Sequence, residues 1–191
     1  MCGIAGIMYK GEAQTFDTGE ALIRMLDGCQ HRGPDSTGFA LYGEAQPGEL
    51  KLRFFLDDKS DSKTGIEVIQ QRLSELGAVI TAESEIGANY RVTVKYDADV
   101  QNLAYEMERA ARVISIGTSL EIVKDVGSAH DVDDRYSVGE YQGSHGLGHV
   151  RLATESDVKP EASHPFWATG FADVAIVHNG QITNYWKMRR R

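Results

Sequence analysis

Apolar and polar positions along the chain divide it into three zones. In the first, Ile4 to Tyr9 is a short apolar run that predicts a strand. Between Glu20 and Asp27, Leu22, Met25 and Leu26 recur at the spacing of one helical face, and Gly28 is placed to close that helix. A Gly/Pro-rich turn, His31-Arg-Gly-Pro-Asp-Ser-Thr-Gly38, leads to a second strand at Phe39 to Tyr42, and Gln46-Pro47-Gly48 ends the zone. The middle zone, residues 50–127, has its own rhythm. A strand over Leu50 to Leu56 precedes a helix capped by Asp61 or Ser62, carrying Ile66, Ile69, Leu73 and Leu76, and stopped by Gly77. Strands at Ala78 to Thr81 and Tyr90 to Tyr96 follow, then a helix from Val100 to Arg112 capped by Asp99, with Leu103, Met107 and Ala110 on one face. Strands at Val113 to Ile116 and Leu120 to Val123 close it. The order β-α-β-β-α-β predicts a two-layer α+β module inserted into the surrounding domain, with docking or spacing as its role. The third zone, 128–191, reads as strands and turns at Gly146 to Thr154, Ser163 to Phe166 and Asp173 to Gly180, then the start of a helix from Thr183.

Composition narrows the function classes. The chain has 191 residues with 20 Lys+Arg against 28 Asp+Glu, a net charge of −8, so neither nucleic acid nor an anionic membrane surface is an expected partner. The terminal Arg189-Arg190-Arg191 run reads as a solvated helix face. No apolar stretch approaches a membrane span, and the N-terminus lacks a signal peptide's positive region and length. The 2 cysteines make no disulfide framework, which points to a reducing, cytoplasmic compartment. Neither sits in a CxxC pair and no HExxH spacing occurs, so no metal site is expected.

The chemistry centres on Cys2. Loss of the initiator Met would make it the N-terminal residue, joining a thiol and a free α-amine. An amine of reference pKa about 7.7–8.0 is a base poised near working pH, so nucleophile and base share one residue. Gly3 and Gly6 in the Gly3-Ile-Ala-Gly-Ile7 run let other backbone approach the strand that begins there. Cys29, near a helix end, reads as a core thiol.

Five blocks then carry a resemblance. Met-Cys-Gly-Ile-Ala-Gly-Ile at the start, His31 to Gly38, Gly148-His-Val-Arg-Leu-Ala-Thr154, His164-Pro165-Phe166 and His178-Asn-Gly180 stand in the order of a class II glutamine amidotransferase. The resemblance implies an N-terminal-nucleophile αββα sandwich, discontinuous over 1–49 and 128–191, with the module at 50–127 inserted. It implies a glutaminase in which Cys2 attacks the side-chain amide, ammonia leaves and water releases glutamate from a thioester. Asn179 and the Gly180 N–H would be the oxyanion donors, suited to fixed hydrogen bonding of a tetrahedral intermediate. Arg151 would hold the substrate α-carboxylate with its planar fork. Thr154 and His164 match the remaining substrate-pocket positions, Arg32 and Gly33 the loop that closes over the nucleophile. His178 reads as a structural histidine.

Finer wording points further. Glu121-Ile-Val-Lys-Asp-Val-Gly127, Gly146-Leu-Gly-His149, Ala153-Thr-Glu-Ser156 and Ser163-His-Pro-Phe166 resemble the stand-alone amidotransferase subunits of glutamate-synthase-like enzymes, the type found in N-methylglutamate synthase. That implies glutamine or glutamate as ligand and no cofactor in this chain. It also implies partner subunits carrying an FMN-binding synthase barrel, iron–sulfur clusters and a β-helix related to the glutamate synthase C-terminus. Val150 and Leu152 replace the Thr and the aromatic or Met of many relatives. The family's acidic ligand for the α-amino group lies well beyond the His-Asn-Gly block, and this chain ends at Arg191. With 50–127 set aside, the remainder is short for a complete sandwich, so the sequence reads as the N-terminal part of a longer subunit. The competing readings are a non-catalytic scaffold or regulatory subunit with a vestigial pocket, and a protease or acylase of the same superfamily.

Overall fold

The computed structural model describes residues 2–10, 16–56, 62–153, 157–180 and 182–190. Its elements run β1 (Gly3–Met8), α1 (Thr18–Asp27), β2 (Ser36–Tyr42), β3 (Glu49–Phe55), α2 (Ser62–Glu75), β4 (Val79–Ile86), β5 (Asn89–Lys95), α3 (Val100–Ala110), β6 (Val113–Gly117), β7 (Leu120–Val126), α4 (Ala129–Tyr136), β8 (His145–Arg151), β9 (Phe166–Trp167), β10 (Ala175–Ile176) and α5 (Tyr185–Arg189). They form a mixed α and β protein with antiparallel sheets. No helix among the described residues is long and apolar enough to cross a membrane.

The first sheet has the order β1-β8-β2-β7. Side chains alternate across a strand, so the register fixes which residues share a face. Ala5, Phe39, Leu41, Val123 and Val150 point to one face, where they pack with Leu22, Ile23 and Leu26 of α1 and Val132 and Tyr136 of α4. Met25, expected on the buried side of α1, is exposed, and Ile23 is buried in its place. Gly19 lies directly on the Val138 carbonyl, with no space for a Cβ, and α1 buries its 19-22-23-26 side.

A second sheet, order β4-β5-β3-β6, comes entirely from the chain between β2 and β7. Leu52, Phe54, Val92, Val94 and Ile116 pack with Ile69 and Leu73 of α2 and Leu103 and Met107 of α3. The Asp99 carboxylate accepts from the Gln101 N–H at 2.9 Å, the N-cap of α3 read from the sequence. Ser62 is the first residue of α2, while Asp61, the other candidate cap, lies outside the described residues.

Two further points differ from the sequence reading. The strand at 120–126 closes the middle stretch in sequence but pairs with β2 of the first sheet, Tyr42 opposite Leu120 and Ser36 opposite Val126. Residues 129–136, read as part of a strand-and-turn zone, form α4. Ser128 and Asp131 make a reciprocal capping box, and Ala129, Val132 and Tyr136 supply its buried face.

The two sheets share one apolar cluster, since Ala40, Tyr42, Leu120, Ile122 and Trp167 pack with the second sheet's core. A buried ion network also joins them. Glu121 on β7 takes both Arg91 donors, Nε at 2.6 Å and Nη2 at 2.8 Å, and Arg53 Nη2 at 3.1 Å. Asp173 binds the β6–β7 turn, accepting from the Thr118, Ser119 and Leu120 N–H groups at 3.1, 2.8 and 2.8 Å and from both hydroxyls. It does so at φ 60°, in the left-handed region.

Candidate active site

Pairing of β1 with β8 builds the site. Gly3 lies opposite Val150 and Ile4 opposite His149, which carries Cys2 alongside Arg151 and Leu152 at the strand end. The Cys2 thiol lies 3.9 Å from the Leu152 carbonyl oxygen. Gly3 faces the helical side, where a Cβ would sit 2.6 Å from Cys29 Sγ and 2.9 Å from Val150 Cγ2. Alternation therefore turns the Cys2 side chain to the opposite face. Cys29 is half-buried against α1, its thiol 3.8 Å from the Met25 carbonyl, and burial pushes its pKa up.

The His31–Gly38 block wraps this strand end. Gly33 lies directly on the Val150–Arg151 backbone, with no space for a Cβ. That contact delivers Arg32, whose Nε donates to the Cys2 carbonyl at 3.3 Å. Asp35 fastens the exit of β8: its carboxylate accepts from the Ala153 N–H at 2.7 Å, and its own N–H donates to the Arg151 carbonyl at 3.1 Å. The last of the converging groups is Asn179, whose side-chain amide donates to the Cys2 carbonyl at 2.9 Å.

Cys2, Arg32, Gly33, Arg151 and Asn179 are thus brought to one strand end. Arg151 is buried, with Nη1 donating to the Asp157 carbonyl at 3.3 Å. Gly180 adjoins Asn179 on an exposed turn, close under the His178 ring. His178 itself is exposed and not a core residue; its backbone carbonyl accepts from His149 Nε2 at 3.3 Å. Thr154 lies outside the described residues.

His164 lies one row away on the same face. Its ring lies tilted at 33° against the fully buried His149, with centroids 4.6 Å apart, and meets Phe166 edge-on at 4.5 Å. Burial pushes both imidazoles down to about 4, with mutual repulsion and the Lys124 charge adding to the effect at His164. Both are neutral at pH 7, and each has a buried Nδ1 without a hydrogen-bond partner. Sequence reasoning gave no role to Asp35, His149 or Lys124. Strand alternation over 145–151 was the available signal for His149, because it places that ring on the same face as Arg151.

A thiol, a carboxamide, a guanidinium and a buried arginine thus meet at one strand end, the first three joined through the Cys2 residue. The sequence relationships agree in class: the chain belongs to the glutamine amidotransferases, to which it is homologous over its whole length. It is 36 % identical over 196 residues to a protein of Methanothermobacter thermautotrophicus named "Putative glutamine amidotransferase", covering 99 % of this chain and 64 % of that one. It is 35 % identical over 191 residues to the glutamine amidotransferase-like protein GlxB of Rhizobium meliloti, covering 100 % of this chain and 62 % of the relative. A shorter match, 30 % over 90 residues, joins 47 % of the chain to 15 % of a glutamine–fructose-6-phosphate aminotransferase of M. thermautotrophicus. The chain therefore spans a little under two thirds of the length of the first two relatives. No family model matches it.

Proposed function

We propose that this chain is the glutamine-hydrolysing part of a class II amidotransferase, within an N-terminal-nucleophile αββα sandwich bearing the 50–127 module. The observation that carries the reading is the convergence of Asn179 and Arg32 on the Cys2 carbonyl, with Arg151 beside it. After removal of Met1, the α-amine takes the Cys2 thiol proton as sulfur attacks the glutamine side-chain carbonyl carbon. The oxygen gains charge, and Asn179 with the Gly180 N–H stabilises it. The C–N bond breaks, the amine returns the proton to the leaving nitrogen, and ammonia departs from a thioester. Water then cleaves the C–S bond, giving glutamate and the free thiol. Arg151 holds the α-carboxylate, His164 and Thr154 line the pocket, and Arg32 with Gly33 closes over the nucleophile.

The finer sequence resemblance supports a place in a glutamate-synthase-like complex of the N-methylglutamate synthase type, with ammonia passing to a partner synthase. FMN and iron–sulfur clusters belong to partner subunits in this reading, and the compartment is the cytoplasm. One observation favours a second reading, a scaffold with a vestigial pocket: the Asn179 amide is engaged by the Cys2 carbonyl, not held free for a substrate oxygen.

Intact mass and labelling separate the two. A catalytic chain loses Met1, is alkylated on Cys2 by a diazoketone analogue of glutamine, and releases ammonia from glutamine in a Cys2-dependent way. Retention of Met1, or glutaminase activity unchanged in Cys2→Ala, overturns the catalytic reading. Co-purification with flavin and iron–sulfur absorbance tests the complex.

A further inference from the structure

Lys124 is a buried cation outside the groups assigned above. It sits on β7, on the face that carries Gly38, His149 and His164, and is 4 % exposed. Its Nζ donates to the Ser163 carbonyl at 2.8 Å and the Pro165 carbonyl at 3.2 Å, the two carbonyls that flank His164. The ammonium also lies 4.5 Å from the centroid of the Phe166 ring, and Phe166 meets the His164 imidazole. Beneath this segment, Gly38 leaves no space between strand and loop, since a Cβ would lie 2.8 Å from Lys124 Cβ and 3.0 Å from Pro165 Cδ.

Burying an ammonium is unfavourable, and it draws the Lys124 pKa down to about 8, with Glu161 opposing. An apolar side chain would fill the same volume without that desolvation. It would, however, leave two inward-facing carbonyls without a donor, the costlier outcome in a dry site. The lysine is therefore explained by the segment it holds, not by core packing.

We propose that Lys124 is a positioning residue for glutamine-amide hydrolysis, tying residues 163–166 to β7 so that His164 is held on His149 as a wall of the glutamine pocket. This rests on the proposed glutaminase reading with Cys2 as nucleophile. Lys124 touches no reacting atom and acts through His164.

The test is a double-substitution cycle on the full chain, reading Cys2 labelling by the glutamine diazoketone against labelling by iodoacetamide, which needs no glutamine pocket. Lys124→Met is expected to slow diazoketone labelling, and to raise KM for glutamine, by about tenfold or more, as for loss of hydrogen bonds from a charged donor. Iodoacetamide labelling stays as in the parent. His164→Ala shows a similar loss, and the double variant is little worse than either single one, since coupled residues are non-additive. Lys124→Gln, which keeps a donor on a shorter arm, gives an intermediate rate and carries the test if Lys124→Met does not fold. Parental diazoketone labelling in a folded Lys124 variant, or additive losses in the cycle, overturns the assignment. Absence of diazoketone labelling in the parent chain overturns the glutaminase reading and this one with it.

Discussion

The side-chain amide of Asn179 donates to the backbone carbonyl of Cys2 at 2.9 Å, joining residues 177 positions apart at the end of one strand. If catalysis draws on that amide, Asn179→Ala lowers kcat for glutamine by about 10²–10³-fold, the range for losing one oxyanion donor. Iodoacetamide labelling of Cys2 stays near parental, because the thiol remains. Steady-state ammonia release and labelling kinetics check both parts.

Glu121 is the carboxylate that Arg53 and Arg91 share in the buried network. Burial alone would raise its pKa, but the Arg91 hydrogen bonds and both positive charges outweigh this and hold it below the usual carboxylate range. Glu121→Ala leaves the buried Arg53 charge uncompensated, with the half-buried Arg91 beside it, and is expected to destabilise the fold by about 3 kcal/mol. Urea unfolding measures it, as a lowered midpoint.

Acid titrates the site through its imidazoles. His149 and His164 have folded pKa values of about 4, below the reference of about 6.5, so between those limits the unfolded chain binds more protons. Their contribution is therefore full above about 6.5 and is lost as pH falls toward 4. Melting temperature should decline across that window, and His149→Phe should flatten the decline. A profile as steep in that variant as in the parent counts against the assignment.

Asp173 holds the β6–β7 turn through the Thr118, Ser119 and Leu120 amides. Burial opposes its ionisation, yet those bonds and the Thr118 hydroxyl keep its pKa below the ordinary value. Asp173→Ala strands the amides and is expected to cost about 2–3 kcal/mol, as lost bonds to a charged group do. Asp173→Asn costs less, since asparagine accepts hydrogen bonds and tolerates the left-handed conformation. Thermal melts of the pair decide it.

Gly38 separates site geometry from stability. A methyl group there would overlap the His164 carbonyl oxygen, so Gly38→Ala pushes the 163–166 segment off β2. Glutamine KM is expected to rise with a smaller loss of melting temperature, and a KM at the parental value would rule the contact unimportant.

Much of this was legible in sequence because it is local. Apolar period gave α1, α2 and α3, with Asp99 at the assigned cap of α3. The Ser128-x-x-Asp131 box of α4 is equally local, yet the stretch was read only as part of a zone of strands and turns. Partnership was not legible. Whether Leu120–Val126 joins the nearer or the farther sheet depends on long-range pairing, as does the burial of Lys124 between β7 and the 163–166 segment. The site residues themselves were found by motif; their convergence follows from β1–β8 register, which no window of sequence contains.

The Tyr42–Leu120 pair has a consequence for how this architecture varies. Gly43 N–H donates to the Ser119 carbonyl at 3.0 Å, so β2 and β7 close on each other as the arms of a hairpin, and everything between is its loop. The entropy of closing a loop grows only logarithmically with its length, by about 0.6 kcal/mol per doubling. The added length of the excursion therefore adds little to the closure of β2 on β7, although its core is shared with Ala40, Tyr42, Leu120 and Ile122 of the first sheet. Lengthening a loop within the excursion leaves the Cys2–Arg151 strand end untouched, whereas excision would uncover Ala40, Tyr42, Leu120 and Ile122 and strand Glu121 without Arg53 and Arg91.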